Sequence, residues 1–241
     1  MDITPHGSIA KRPAKFRHEL KYMISSQQVY TLKHQLPDLL LPDPHVGPEG
    51  CYRIRSLYFD DYYNTFYYEN ENGTEPREKF RIRLYNGSPS RIRLERKRKE
   101  GGMIHKQSCP ISADQVRSIL QGNVIPWDDN MDPLLKKFYI LQETKLLQPK
   151  IIVEYDRFPY IYPDGNVRVT LDLNIGASTC VDEFLNREIC VRPIMSAGMH
   201  LLEAKYDEFL PDPIYRSLQK HNLQRVTFSK YYLCRKFEDL L

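Results

Sequence analysis

Apolar and polar residues alternate with period 2 through much of this chain, and the polar positions are mostly charged. In Lys79-Phe80-Arg81-Ile82-Arg83-Leu84, one face carries Lys79, Arg81 and Arg83 and the other Phe80, Ile82 and Leu84. In residues 91–97, Arg91, Arg93, Glu95 and Lys97 share a face against Ile92 and Leu94. Such alternation predicts strands whose two faces meet different surroundings. The β-branched and aromatic residues argue for strand over helix. Asn86-Gly87-Ser88-Pro89 between the segments has turn composition, so the pair reads as a hairpin. For a lone hairpin, a solvated charged face is the ordinary explanation. Here the two-faced pattern recurs in strand after strand.

Further strands are predicted over 16–24 (Arg17, Glu19 and Lys21 opposite Leu20 and Tyr22), 52–60, and 103–109 after a Gly101-Gly102 turn. Over 150–160, Ile151, Val153, Tyr155 and Arg157 share a face; over 166–172, Arg168, Thr170 and Asp172 do so. One more strand is expected around 184–192, and another over 199–206 places Glu203 beside Lys205. Ser25 and Ser112 read as N-caps of helices reaching Leu36 and Leu120. A short helix is expected over 62–69. Asp132-Pro133 and Asp212-Pro213 open two more, since proline is tolerated at a helix start. A last helix over 229–239 carries Lys230. Residues 1–14 read as a loose leader, and the chain as a single domain over 1–241.

About eight strands with charged faces pose a solvation problem. Lys21, Arg55, Arg81, Arg83, Lys97, Lys106, Arg157, Arg168 and Lys205 cannot sit in a dry core. Desolvating one unpaired ion costs several kcal/mol, against a whole-domain stability of roughly 5–15 kcal/mol. The opposite faces are apolar, and helices with apolar stripes are available to cover them. The predicted architecture is therefore α+β: a closed, mainly antiparallel eight-stranded barrel with a wet cationic lumen, wrapped by helices. Glu19, Glu95 and Glu203 relieve part of the repulsion inside, and a polyanion would relieve the rest.

Composition leaves this picture standing. The chain has 241 residues, 41% hydrophobic and 27% charged, which is ordinary globular material. Its net charge of +4 is modest, so any anion site must come from local concentration of charge. The cations alternate within strands and do not form an exposed patch with stacking aromatics, which argues against a nucleic-acid binder. Five scattered cysteines with no CxxC pair fit reduced thiols, and a cytoplasmic location is expected. No apolar run is long enough to span a membrane, which takes about 18 residues or more.

The ordered set Arg17-His-Glu19-Leu-Lys21-Tyr22, Tyr52-Arg-Ile-Arg55-Ser-Leu-Tyr58-Phe59-Asp60, Arg81-Ile-Arg83, Glu95-Arg-Lys97, Tyr155-Asp-Arg157, Arg168-Val-Thr170-Leu-Asp172, Glu203-Ala-Lys205 and Phe228-Ser229-Lys230-Tyr231 resembles the VTC domain. That domain is the polyphosphate polymerase member of the triphosphate tunnel metalloenzymes. The resemblance implies an eight-stranded tunnel that binds a triphosphate with Mn²⁺ or Mg²⁺. It also implies ATP as donor of a γ-phosphoryl group to a growing inorganic polyphosphate chain. By that resemblance Arg81, Arg83, Lys97, Lys230 and Glu203 form the catalytic set. Lys21, Arg55, Lys106, Arg157, Arg168 and Lys205 hold phosphates, although Arg55, Lys106 and Lys205 suit internal ion pairs equally well. Glu203 is the expected metal ligand, with help from Glu19 or Glu95; Glu95 and Asp172 are also suited to orienting arginines. The tyrosines are expected to serve packing. A triphosphate hydrolase of the same superfamily and a non-catalytic polyphosphate-binding module are the alternatives. Two positions depart from the family pattern: Glu69-Asn70-Glu71-Asn72 and Thr227 stand where other members often carry basic residues.

Overall fold

The structure is a computed structural model that describes residues 16–238, so the expected leader lies outside the described residues. Its elements in chain order are β1 (His18–Ser25), α1 (Ser26–Gln35), β2 (Leu41–Pro42), β3 (Tyr52–Asp60), α2 (Thr65–Glu71), β4 (Arg77–Tyr85), β5 (Ser88–Glu100) and β6 (Met103–Pro110). They continue with α3 (Ala113–Leu120), α4 (Pro133–Lys145), β7 (Gln148–Tyr162), β8 (Val167–Ser178), β9 (Arg192–Pro193), β10 (Met199–Tyr206), α5 (Asp212–Gln219), β11 (Gln224–Arg225) and α6 (Lys230–Lys236).

Local chemistry accounts for most boundaries. Ser25 and Ser112 each close a capping box, with Gln28 and Gln115 as reciprocal partners. Asp132 caps α4 by accepting from the Leu134 amide. The β4–β5 turn is tighter than predicted. Asn86 (φ 52°) and Gly87 (φ 63°) both take the left-handed conformation, so Tyr85 pairs directly with Ser88. A side chain at residue 87 would also meet the Arg187 carbonyl oxygen at 2.5 Å. Helix α2 begins at Thr65, later than expected. The Asp60 carboxylate accepts from the amides of Asp61, Phe66 and Tyr67, which fixes where the chain can turn helical.

All paired strands are antiparallel, in the order β11-β1-β10-β8-β7-β3-β4-β5-β6, with β2 on β7 and β9 on β8. Eight of them are the long strands of the pattern, and β2, β9 and β11 are two-residue additions. The sheet curls until its ends approach, but among the described residues no hydrogen-bonded ladder closes it into a barrel. Arg17 and Ile104 exchange backbone hydrogen bonds of 2.9 and 3.0 Å, and among the described residues no further ladder joins β1 to β6. Side chains span the seam instead: Phe16 packs on His105 at 5.4 Å, and Lys97 reaches Glu19 at 2.8 Å.

The expected strand at 184–192 is also absent. Residues Val181–Leu185 form a 3-10 turn, and only Arg192–Pro193 pairs. The intervening carbonyls turn toward Arg55.

Helices cover the outer, apolar face. Val29, Leu32 and Leu36 of the α1 region and Ile214 and Leu218 of α5 pack on Ile24, Val169, Leu171 and Leu202. Val116 and Ile119 of α3 and Leu134 and Phe138 of α4 join the core around Leu57, Phe59, Phe80, Ile82 and Leu94. Each such buried side chain contributes about 1.5–3 kcal/mol, and together they hold the curl. Among the described residues no helix is long and apolar enough to cross a membrane.

Candidate functional site

The curled sheet encloses a cavity of about 1210 Å³. Alternation aims charged residues from seven of the eight long strands into it: Glu19 and Lys21 from β1, Arg81 and Arg83 from β4, Lys97 from β5, Lys106 from β6, Arg157 from β7, Arg168 from β8, and Glu203 and Lys205 from β10. Lys230 arrives from α6, whose N-cap Ser229 accepts from the Tyr232 amide. The side chains organise around buried carboxylates.

Glu203 is the most heavily engaged. Lys205 Nζ lies at 2.6 Å, Lys230 Nζ at 2.9 Å, Arg157 Nη2 at 3.4 Å and Lys21 Nζ at 3.9 Å. Burial would raise this carboxyl, but Lys205, Lys230, Lys21 and Arg157 outweigh it and hold it well below the usual range. Behind it, Asp172 takes two hydrogen bonds of 2.7 Å from Arg157 and one contact of 2.6 Å from Lys230. Burial opposes the Lys230 ammonium, yet Asp172 and Glu203 raise its pKa. Asp172 thus orients cations and does not itself line the cavity.

Glu19 sits 2.8 Å from Lys97 and 3.0 Å from Lys21. Burial, with Lys21 and Lys205 nearby, lowers Lys97 to about 7 despite Glu19. Glu95 is enclosed by Arg81 at 2.7 Å, Arg83 at 3.7 Å and Lys106 at 2.5 Å. Burial pushes Lys106 down to about 8 in spite of Glu95, with Arg83 and Arg81 adding to the effect.

Three sequence expectations change here. Arg55 does not line the cavity. It occupies the outward face of β3 and is fully buried, bonded to Glu154 at 2.6 Å and to the carbonyls of Phe184, Asn186 and Arg187. Its charge is spent on that clamp. Glu95 lies on the same face of β5 as Lys97, opposite Arg81, but it is 1% exposed beneath Arg81, Arg83 and Lys106 and does not itself line the cavity, a place that suits it to orienting those cations. Tyrosines prove more than packing. Tyr58 accepts from Arg81 at 2.9 Å, Tyr155 from Arg83 at 3.3 Å, and Tyr52 from Arg168 at 2.6 Å. The Tyr155 ring also lies 4.7 Å from Lys230 Nζ.

Several lining or supporting residues escaped the sequence reading of the site, Lys79 and Asp43 among them. Lys79 lines the cavity, two residues from Arg81 on the same strand face; its place in the alternation was the available signal. Asp43, which takes 2.6 Å from Arg168, lies between β2 and β3 where no periodicity marks it.

No three acidic, histidine or cysteine residues are grouped to hold a metal ion among the described residues. Glu203 and Glu19 both line the cavity and share Lys21, which leaves two hard carboxylates facing the space a phosphate chain would fill. Magnesium-like ions are commonly held by one or two carboxylates plus substrate phosphates, so the set fits an ion that arrives with its substrate.

Among solved structures, a candidate adenylate cyclase from Bacillus halodurans aligns at TM-score 0.55 with 14% identity, covering 89% of this chain and 94% of that one. A candidate adenylyl cyclase from Hippeastrum with a dominant triphosphatase activity aligns at TM-score 0.50 with 12% identity, covering 92% and 95%. Both likenesses concern the fold. No curated protein matches the chain. The VTC domain family model matches residues 16–237, nearly the whole sequence, and with its lumen residues now placed on the sheet the chain belongs to the VTC domain family.

Proposed function

We propose that this chain is a metal-dependent polyphosphate polymerase, which transfers the γ-phosphoryl group of ATP to the end of an inorganic polyphosphate chain. The observation that carries the reading is a cavity whose cations outnumber its carboxylates. Glu19, Glu71 and Glu203 face Lys21, Lys79, Arg81, Arg83, Lys97, Lys106, Arg157, Arg168, Lys205 and Lys230. The volume of about 1210 Å³ exceeds the roughly 300–1000 Å³ of an ordinary ligand pocket, leaving room for donor and acceptor together.

Phosphoryl transfer is mainly positioning and charge stabilisation. In this reading Arg81 and Arg83, held by Glu95, Tyr58, Tyr155 and Ser56, present planar donors to phosphate oxygens. Arg157 and Lys230, fixed by Asp172, present a second cationic wall. Glu203 and Glu19 would hold Mn²⁺ or Mg²⁺, which supplies charge neutralisation between phosphate oxygens. Glu19 and Glu203 are kept ionised by neighbouring lysines, so they are poor proton acceptors. A terminal phosphate oxygen needs no such acceptor, which favours polymer growth over attack by water.

The triphosphatase activity of the Hippeastrum protein keeps hydrolysis as the second reading. Incubation of pure protein with ATP and Mn²⁺ decides between them. The expected products are ADP and an acid-stable polyanion, both abolished by EDTA. Stoichiometric orthophosphate without polymer means a hydrolase. No turnover with any divalent ion leaves a binding module.

A further inference from the structure

Each cation assigned to phosphate in the cavity is already paired with a carboxylate. Lys79 is different: it makes no salt bridge among the described residues. Its Nζ donates to two neutral oxygens, Asn70 Oδ1 of α2 at 2.5 Å and Ser229 Oγ, the N-cap of α6, at 2.7 Å. The Tyr231 ring lies 5.6 Å away. An ammonium has three donors, so one remains for a ligand. No carboxylate lies within salt-bridge distance of it among the described residues. Desolvation, then Lys97, Lys21, Arg77 and Arg81, lower its pKa well below the lysine value, which an arriving anion would reverse.

Position says which anion. Arg83, Arg81, Lys79 and Arg77 form a row on one face of β4, and all four line the cavity. Neighbours in the row are about 6.5 Å apart at strand spacing. Lys79 therefore lies one step beyond Arg81, toward the end where Arg77 faces Lys99 across the ladder. We infer that Lys79, with Asn70 and Ser229 behind it, is an extension subsite that binds a phosphate of a long polyanion beyond the group held by Arg81 and Arg83. The inference rests on the proposed function, since it needs a phosphate chain in the cavity.

The test is calorimetric affinity, without metal, for tripolyphosphate and for long-chain polyphosphate. Lys79→Met should weaken the long chain about tenfold, the loss of one hydrogen bond to a charged group, and triphosphate less. Lys79→Arg should restore most of the long-chain affinity. Asn70→Ala, which keeps the ammonium and removes one of its holders, should weaken the long chain less than Lys79→Met does. Equal losses for both ligands, or no rescue by arginine, overturn the subsite. So does an unchanged affinity with a lowered melting temperature, which would make Lys79 a strap between α2 and α6. If the parent protein binds neither ligand, the polymerase reading falls first and takes this one with it.

Discussion

Arg55 and Arg83 lie on adjacent strands, both almost fully buried, and meet opposite fates. The pleat sends Arg83 into the cavity, where Ser56 and Tyr155 accept from it, and sends Arg55 outward onto Glu154. Burial alone therefore does not identify a ligand-binding cation; the face does. In the proposed polymerase, Glu203 is the residue on which binding and chemistry should separate. Glu203→Gln keeps the volume but removes the anion among Lys205, Lys230, Arg157 and Lys21. Metal-free triphosphate binding should be retained or tighten, because the cavity becomes more positive. Metal-dependent turnover should fall by orders of magnitude. Calorimetry beside an ATP turnover assay reads both, with Arg81→Ala as the contrasting variant that weakens triphosphate itself. Normal turnover in Glu203→Gln would put the metal elsewhere. Early melting with lost triphosphate binding would make Glu203 a structural counter-ion.

At the scale of elements, the cavity depends on segments the strand pattern does not describe. The 3-10 turn after β8 is tied down by Arg55, whose guanidinium gathers the carbonyls of Phe184, Asn186 and Arg187. Phe184 is fully buried beside it. Removing one partner of a buried ion pair costs about 3–5 kcal/mol, since the other is left uncompensated. Arg55→Met should therefore lower stability by about that much in a denaturant titration, with Arg55→Met/Glu154→Gln recovering part. Triphosphate affinity of the folded protein should stay at the parent level in both. A specific loss of affinity without a loss of stability would return Arg55 to the site. Helices α2 and α6 are joined in the same manner: Tyr231 donates to Asp60, the carboxylate that receives the amides opening α2.

For the whole molecule, the cost of gathering cations should be visible in its pH dependence. Lys97 at about 7 and Lys106 at about 8 lie far below the roughly 10.4 of an unfolded lysine. Between those values the unfolded chain binds more protons than the native one, so native stability rises with pH. The depressed carboxylates Glu19, Glu95 and Glu203 contribute fully above the unfolded carboxylate range and stay constant in this window. The melting temperature of the metal- and ligand-free protein should therefore climb from about pH 7 to about pH 9. Saturating triphosphate should flatten that climb and raise the melting temperature throughout. A ligand at a hundredfold excess over Kd adds roughly 2.7 kcal/mol. Chloride at equal ionic strength should do far less, because it only screens. A flat ligand-free profile, or equal shifts from both salts, would remove the cationic cavity as the source of the effect.

How much of this was written in the sequence follows from the range of each force. Alternation with period 2 is a local property, so Glu19, Lys21, Arg81, Arg83, Lys97 and Glu203 could be assigned to one face before any folding was known. The capping serines and the Asn-Gly turn are local as well. The polar faces also implied a shared wet interior, because apolar faces and available helices left no other solvation for so many ions. The inside was thus legible, but not which strand presents which face to it. Arg55 reads in sequence like Arg81, and only the β3–β4 register of Ser56 with Arg83 turned it outward. Tyrosine hydroxyls, Asp43 and the carbonyls after Phe184 joined the network through contacts across more than 20 residues of chain, which no periodicity encodes. Closure was decided in three dimensions too: a sheet joined end to end needs matched edges, and among the described residues a single bridge, between Arg17 just before β1 and Ile104 of β6, joins them.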